Sequence, residues 1–324
     1  MERWLQKQWH TWTLWHSLLL PLSWLFGLLV CCRRLFYRWG CLSSQRLPVP
    51  VIIVGNITVG GTGKTPLVVW VAQQLKNAGY HPGIISRGYG RKTKDVRQVV
   101  LDSQAIEVGD EPLLIAARTE CPVWVGINRV QAAHRLLEVN PECDVIISDD
   151  GLQHYALQRD IELLVVDGER GFGNKQLLPA GALREPISRL TTVDAVICNE
   201  KNIIDGAFLM TLQSQALINL LTGEIKDIRD VNDQTLHAIT GIGHPERFFS
   251  RLSRDGLRFT YTAFGDHHLY QADDLAHLQS DTLIMTEKDA VKCKAFAKST
   301  YWYLPVNANI EGDLFAQIKT KLKP

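Results

Sequence analysis

Gly60, Gly61, Gly63, Lys64 and Thr65 stand together in "VIIVGNITVGGTGKTPLVVWV", Val51 to Val71. Glycines let a backbone wrap closely and aim N–H groups inward, while the lysine and threonine offer an ammonium and a hydroxyl. Together with a helix N-terminus these groups cradle phosphate. Lys64 would reach β- and γ-phosphates and Thr65 would ligate Mg²⁺. The elements needed to hold such a loop are both legible. Val51–Val54 read as a buried β-branched strand. Pro66 sits where the first turn of a helix tolerates it, and Leu67, Val68, Val71, Ala72 and Leu75 form a helical face. The loop is a variant, because Thr58 stands where the usual pattern has its first glycine. The expected nucleotide contacts run over Thr58, Val59, Gly60, Gly61, Thr62, Gly63, Lys64 and Thr65, and the expected cofactors are ATP and Mg²⁺.

A phosphate loop with a metal needs a second acid. "CDVIISDDGLQH", Cys143 to His154, supplies an apolar strand ending in Asp149 and Asp150. A carboxylate at the C-terminal end of a parallel strand is placed to hold the metal beside the loop, so Thr65, Asp149 and Asp150 form the expected metal set.

Further apolar runs follow a βα rhythm: Gly83–Ile85, Val123–Val125, Leu163–Val166, Ala195–Ile197, His237–Thr240, Thr282–Met285 and Tyr301–Val306. Helical patterns over Glu111–Arg118, Arg129–Leu137 and Pro245–Leu252 lie among them. The rhythm predicts an α/β protein built on parallel strands. Polar clusters fall between these elements: "SRGYGR" (Ser86–Arg91), "GDEP" (Gly109–Pro112), "LPAGALREP" (Leu178–Pro186), "FGDHHLY" (Phe264–Tyr270) and "TEKDAVK" (Thr286–Lys292). Each alone reads more readily as a surface loop than as a site. The Asp266-His267-His268 triplet could hold a metal, but no further spaced ligands accompany it.

The first third is cationic. Between Arg3 and Lys94 there is no Asp or Glu, although the whole chain carries a net charge of only +1. Trp4, Trp9, Trp12, Trp15, Trp24 and Trp39 precede Gly40, and "LWHSLLLPLSWLFGLLVCC" (Leu14–Cys32) is followed by Arg33, Arg34 and Arg38. Tryptophan favours the membrane interface, and arginine favours anionic head groups. No small-residue cleavage site follows, which argues against a signal peptide. The run is borderline in length for a span and is interrupted by His16 and Pro21. The preferred reading is a helix lying in the cytoplasmic leaflet, over a full span or an ordinary buried helix. Seven scattered cysteines form no C-x-x-C pair, so reduced thiols are expected. Three segments are expected: a membrane-associated helical segment over 1–46, a P-loop core over 47–200 and a second, smaller α/β lobe over 201–324, with a seam near Asn199–Phe208.

Taken together, the aromatic N-terminus, "VGNITVGGTGKTP", "SRGYGR", "GDEP", "SDDGLQH", "LPAGALREP", "GIGHPERFF", "DHH" and "TEKDAVKC" resemble the tetraacyldisaccharide 4′-kinases of lipid A biosynthesis over essentially the whole chain. The resemblance implies transfer of the γ-phosphoryl of ATP to the 4′-hydroxyl of a tetraacylated disaccharide 1-phosphate. It implies a P-loop NTPase-like fold with a second lobe, at the cytoplasmic face of the bacterial inner membrane. By motif it implies that Lys64 and Thr65 bind phosphates and Mg²⁺, that Asp149 and Asp150 pair on the metal and that Arg184 stabilises phosphate charge. Asp110 paired with His267 would activate the attacking hydroxyl. The implied partners are an acylated disaccharide lipid and an anionic membrane surface, with no nucleic acid and no obligate protein partner. Lys175 and Ala182 depart from the glycine and proline usual in that family's loop.

Two rivals fit less well. A partitioning ATPase with a deviant loop would carry lysine where Val59 stands, and a GTPase base-reading motif would not accept glutamate in "TEKD".

Overall fold

The computed structural model describes residues 9, 13–100, 102–214, 216–231, 235–278 and 282–322. The expectations placed on Arg3, Trp4 and Trp12 lie outside the described residues. In chain order the elements are α1 (Leu14–Arg38), β1 (Val51–Gly55), α2 (Lys64–Asn77), β2 (Pro82–Ser86), β3 (Arg97–Val99), α3 (Ala105–Val108), α4 (Asp110–Thr119), β4 (Val123–Val125), α5 (Arg129–Val139) and β5 (Val145–Asp149). They continue with β6 (Ile161–Asp167), β7 (Ala195–Asn199), β8 (Phe208–Gln213), β9 (Ala216–Asn219), β10 (Ile225–Asp227), β11 (Leu236–Thr240), α6 (Pro245–Arg254), β12 (Thr260–Ala263) and α7 (Ala272–Ala276). The last are β13 (Thr282–Thr286), α8 (Glu287–Cys293), β14 (Tyr301–Leu304), β15 (Asn307–Ile310) and α9 (Leu314–Leu322).

The chain forms two compact units, and each is discontinuous. One takes residues through Arg87, Asn128–Leu212 and the chain from Ala308 on; the other takes Gly88–Ile127 and Gln213–Asn307. This differs from a single cut at 200/201. Packing explains the difference: α4 packs on α8, far along the chain, while Gln317 of α9 donates to the carbonyl of Asp194 at 2.7 Å.

In the first unit β1 is central. It runs parallel to β5 on one side and β6 on the other; β2 extends the β5 side, and β7 then β8 extend the β6 side. Register places Val54 beside Asp149, so the end of β1 and the acidic end of β5 emerge together. Both faces of these strands are covered, and β1, β5 and β6 are buried along their whole length. That is why they read as continuous apolar runs rather than alternations. The helical face expected on α2 is the buried one.

In the second unit the sheet order is β10-β9-β14-β13-β11-β12. The strands β12, β11, β13 and β14 are parallel, and β9 and β10 add an antiparallel edge. Alternation divides two cores. Ala238, Ile284 and Trp302 pack with Phe248 and Leu252 of α6 on one face. Ile239, Leu283, Met285 and Tyr301 pack with Ala290 and Cys293 of α8 on the other. Within this unit β3 and β4 form an antiparallel pair, a departure from the parallel rhythm expected at Val123–Val125.

Helix α1 presents two faces. On one, Ser23 donates to the carbonyl of Leu177 at 2.7 Å, and Gly27 lies so close that a Cβ would come within 2.8 Å of the Leu177 side chain. Further along, the Tyr37 ring lies 5.8 Å from that of Tyr155, and the Arg33 guanidinium sits over both. The opposite face is a stripe of Leu18, Leu22, Leu25 and Leu29 at helical spacing, all exposed, with Trp24 67% exposed beside it. Among the described residues this is the one helix long and apolar enough to cross a membrane. It is not an ordinary buried helix.

Candidate functional site

Two clusters account for the expected site residues, one in each unit.

In the first unit, Gly63 caps α2 from a left-handed backbone, φ +92°. A side chain there would meet Asn199 Nδ2 at 2.6 Å and Met210 Cε at 3.2 Å, so the position requires glycine twice over. Asn199, at the end of β7, donates to the carbonyl of Thr62 at 3.2 Å. Arg170 donates to the carbonyl of Gly61 and pairs with Asp167 at the end of β6, Nε to Oδ2 2.7 Å. These side chains hold the carbonyls of the loop, and among the described residues the amides of Gly60, Gly61, Thr62 and Gly63 have no backbone acceptor. The Val59 N–H donates to the carbonyl of Ala182 at 2.8 Å. Thr58 pairs with Leu183 in an antiparallel bridge.

The same ladder positions Arg184, whose N–H donates to Ile57 O at 2.7 Å. The proline- and glycine-rich loop is laid along the entry to the phosphate loop, and its arginine arrives at the acidic end of β5. Arg184 lies 3.3 Å from Asp150 Oδ2, and Lys64 Nζ lies 3.5 Å from Asp150 Oδ1. Arg129 donates to the carbonyl of Asp150 at 3.2 Å. Asp150 itself has φ +48°. Burial opposes its charge, but Lys64, Arg184 and Arg129 prevail and hold its carboxyl at about 2. Asp149 is buried and accepts a hydrogen bond from Ser86 Oγ at 3.0 Å. Gln153 ties the region together by donating to Asn56 O at 3.0 Å and to Glu185 Oε1 at 2.9 Å. His154 is lowered to about 4, by burial first and then by Arg129 and Arg159, and is neutral at physiological pH.

Lys175, one of the departures, has φ +62°, the backbone that explains a glycine at that place. Lysine occupies it without dismantling the loop: Lys175 N–H donates to Phe172 O at 3.0 Å, and Gln176 N–H donates to Asn174 Oδ1 at 3.1 Å.

In the second unit, Asp110 is the first residue of α4, after Gly109 at φ +92°. It is 4% exposed. His267 Nδ1–H donates to both its oxygens, at 3.1 and 2.9 Å. The His267 backbone N–H donates to Gly241 O at 3.0 Å. The Tyr89 ring lies 5.2 Å from the imidazole. Lys288 Nζ stands 3.7 Å from Asp110 Oδ2 and 3.0 Å from Glu111 Oε1. Burial works against the Asp110 charge, but the His267 hydrogen bond and the Lys288 ammonium outweigh it and lower the carboxyl to about 2. The Asp110 hydrogen bond raises His267 above its ordinary 6.5, against burial and Lys288. The two histidines of "DHH" part company, because His268 turns to Asp274 at 3.0 Å and stacks on Phe264. Among the described residues no group of three or more His, Cys, Asp or Glu gathers as a metal cluster.

Sequence reasoning named Asp110, His267, Lys64, Arg184, Thr65, Asp149 and Asp150. It passed over Ser86, Arg129 and Lys288 as partners of these residues, and Asn199 as the partner of Thr62. Asn199 at a strand's C-terminal end carried a positional signal; the other three are polar residues whose partners lie far along the chain.

Residues 15–323 match the family described as tetraacyldisaccharide-1-P 4′-kinase. Similar proteins include a tetraacyldisaccharide 4′-kinase of Methylobacillus flagellatus, 51% identical over 99% of this chain and 96% of the relative. Another, from Pasteurella multocida, is 49% identical over 97% of this chain and 95% of the relative. A crystal structure described as LpxK from Aquifex aeolicus in complex with ATP matches with TM-score 0.82 at 29% identity, covering 95% of this chain and 100% of that one. The chain belongs to the tetraacyldisaccharide-1-phosphate 4′-kinase family.

Proposed function

We propose that this protein transfers the γ-phosphoryl of ATP to the 4′-hydroxyl of a tetraacyldisaccharide 1-phosphate. The observation that carries the reading is the charge cluster at the glycine loop, where Lys64 and Arg184 both lie against Asp150. Phosphoryl transfer asks little covalent chemistry of a protein. It asks for positioning and for cations around the transferring group. The amides from Gly60 to Thr65 seat the phosphate tail, and Lys64 and Arg184 spread over its charge.

The donors present suit Mg²⁺. Thr65 Oγ1 and the carboxylates of Asp149 and Asp150 are hard oxygens, and the cations around Asp150 keep it ionised. When bound, the metal neutralises phosphate charge in the transition state. Asp110 is assigned the proton of the attacking hydroxyl, with His267 holding its carboxylate by Nδ1–H.

The substrate's acyl chains explain α1. An exposed leucine stripe with Trp24 on one face, a fixed docking face on the other and Arg33, Arg34 and Arg38 at the end suit a helix lying in the cytoplasmic leaflet of the inner membrane, with its arginines on anionic head groups. A lipid that stays in the bilayer is then met at the surface.

The test is to incubate the protein with γ-labelled ATP, Mg²⁺ and tetraacyldisaccharide 1-phosphate in detergent. Label in a bis-phosphorylated lipid is expected, and its absence from active, folded protein would overturn the reading.

A further inference from the structure

Lys288 lies in the first turn of α8, two residues after the N-cap Thr286, whose hydroxyl accepts the Asp289 N–H at 3.2 Å. Two side chains of that turn reach α4. Glu287 takes Arg118, near the end of α4, at 2.8 Å, and Lys288 takes Glu111 and Asp110, at its start, at 3.0 and 3.7 Å. The Lys288 side chain is only 18% exposed. A lysine so placed keeps its charge only if anions offset the lost hydration. Glu111, at 3.0 Å, is the nearer of the two anions. The ammonium nevertheless also leans on Asp110 Oδ2, the oxygen that accepts the 2.9 Å hydrogen bond from His267.

The Arg118–Glu287 pair already ties α4 to α8, so Lys288 is not needed as the strut between them. The charged groups around Asp110 and His267 are Glu111 on α4, Lys288 and Lys292 on α8, and Asp266 beside the imidazole, whose Oδ1 is 3.8 Å from His267 Nε2. The Tyr89 ring lies beside the imidazole.

We propose that Lys288 is a positioning residue for the Asp110–His267 pair: its ammonium holds the Asp110 carboxylate in place beside His267 and keeps the pair from taking up a proton at working pH. The inference rests on the reading of Asp110 as general base. A positive charge at this range favours the carboxylate and disfavours a second positive charge on the imidazole. Without it both groups hold protons more tightly, and the competent form, carboxylate with neutral imidazole, becomes scarce near neutrality. The groups are coupled, so the pair rather than either residue sets the titration.

The test measures kcat/KM for the lipid substrate from about pH 5 to 9 with the full chain carrying Lys288→Met or Lys288→Arg. Lys288→Met should move the acid limb upward by about one pH unit, with activity recovering toward alkaline pH. Lys288→Arg should restore the wild-type profile. A loss equal at every pH would overturn the proposal, because that is what a purely structural tie gives. A second readout does not depend on turnover: the imidazole resonances of His267 should titrate at higher pH in Lys288→Gln than in the wild type, and an unchanged titration would overturn the proposal. If Asp110→Ala keeps full turnover, the general-base reading fails, while the His267 titration still tests the link to Lys288.

Discussion

His267 Nδ1 lies 2.9 Å from Oδ2 of Asp110, and it reaches that oxygen from a left-handed backbone, φ +55°. The residues are 157 apart in the chain. A non-glycine residue in this region costs roughly 1–2 kcal/mol, and a histidine held there by its own N–H to Gly241 O is aimed by the fold. Asp110→Ala should therefore lower kcat by about 10²–10⁴-fold with the Kd for ATP unchanged. Turnover measured beside equilibrium nucleotide binding checks this; equal losses in both would mean that Asp110 supports the fold and not the chemistry.

The same carboxylate predicts an acid dependence of stability. The folded-state value of Asp110 is about 2, below its ordinary 3.8, so the native state binds fewer protons than the unfolded one between those values. Its contribution is present above about pH 4–5 and is lost as pH falls toward 2, worth about 2 kcal/mol in all. Denaturant melts of the wild type and Asp110→Asn should differ in their acid slope by this amount. Parallel curves would show that the His267 and Lys288 contacts do not hold in solution.

Two glycines of the phosphate loop should behave differently. Gly63→Ala combines φ +92° with a 2.6 Å approach to Asn199, a cost of about 2–4 kcal/mol with loss of nucleotide binding. Gly61→Ala meets nothing within 4 Å and needs no special backbone, so its melting temperature should stay near wild type. Thermal melts of the two variants decide it.

Lys175 sits at φ +62°. Lys175→Gly should relieve left-handed strain and stabilise the protein by about 1 kcal/mol, less the entropy glycine adds to the unfolded chain. A chemical melt showing destabilisation would mean that the lysine side chain holds the loop.

Leu22→Asp with Leu29→Asp places two charges on the exposed stripe of α1, away from Ser23 and Gly27. Binding to anionic vesicles should fall sharply while the melting temperature is unchanged. Undiminished vesicle binding would remove the membrane role assigned to that face.

Much of this was legible in the sequence, for physical reasons. The phosphate loop, β1 and α2 are local: β-branched run, glycine turn and amphipathic helix fall within one short stretch, and the expected face Leu67–Leu75 is the buried one. Long-range partners are different. That Asp110 and His267 belong together came from the resemblance and not from their types. Lys288 was invisible because nothing in "TEKDAVK" says which α4 residues lie across from it. The ladder from Val59 N–H to Ala182 O, which lays one loop along another, is likewise a long-range pairing that no local residue pattern announces. The unit boundaries were hidden because Gly88–Ile127 is assigned by what it packs on, which lies far along the chain.

Crystals of the protein soaked with a non-hydrolysable ATP analogue and Mg²⁺ give the most direct measurement. The account predicts triphosphate density on the amides from Gly60 to Thr65, Lys64 on its β- and γ-phosphates, and a metal held by Thr65 Oγ1 within reach of the Asp149 and Asp150 carboxylates. A fully occupied analogue bound elsewhere, with Lys64 still on Asp150, would contradict it.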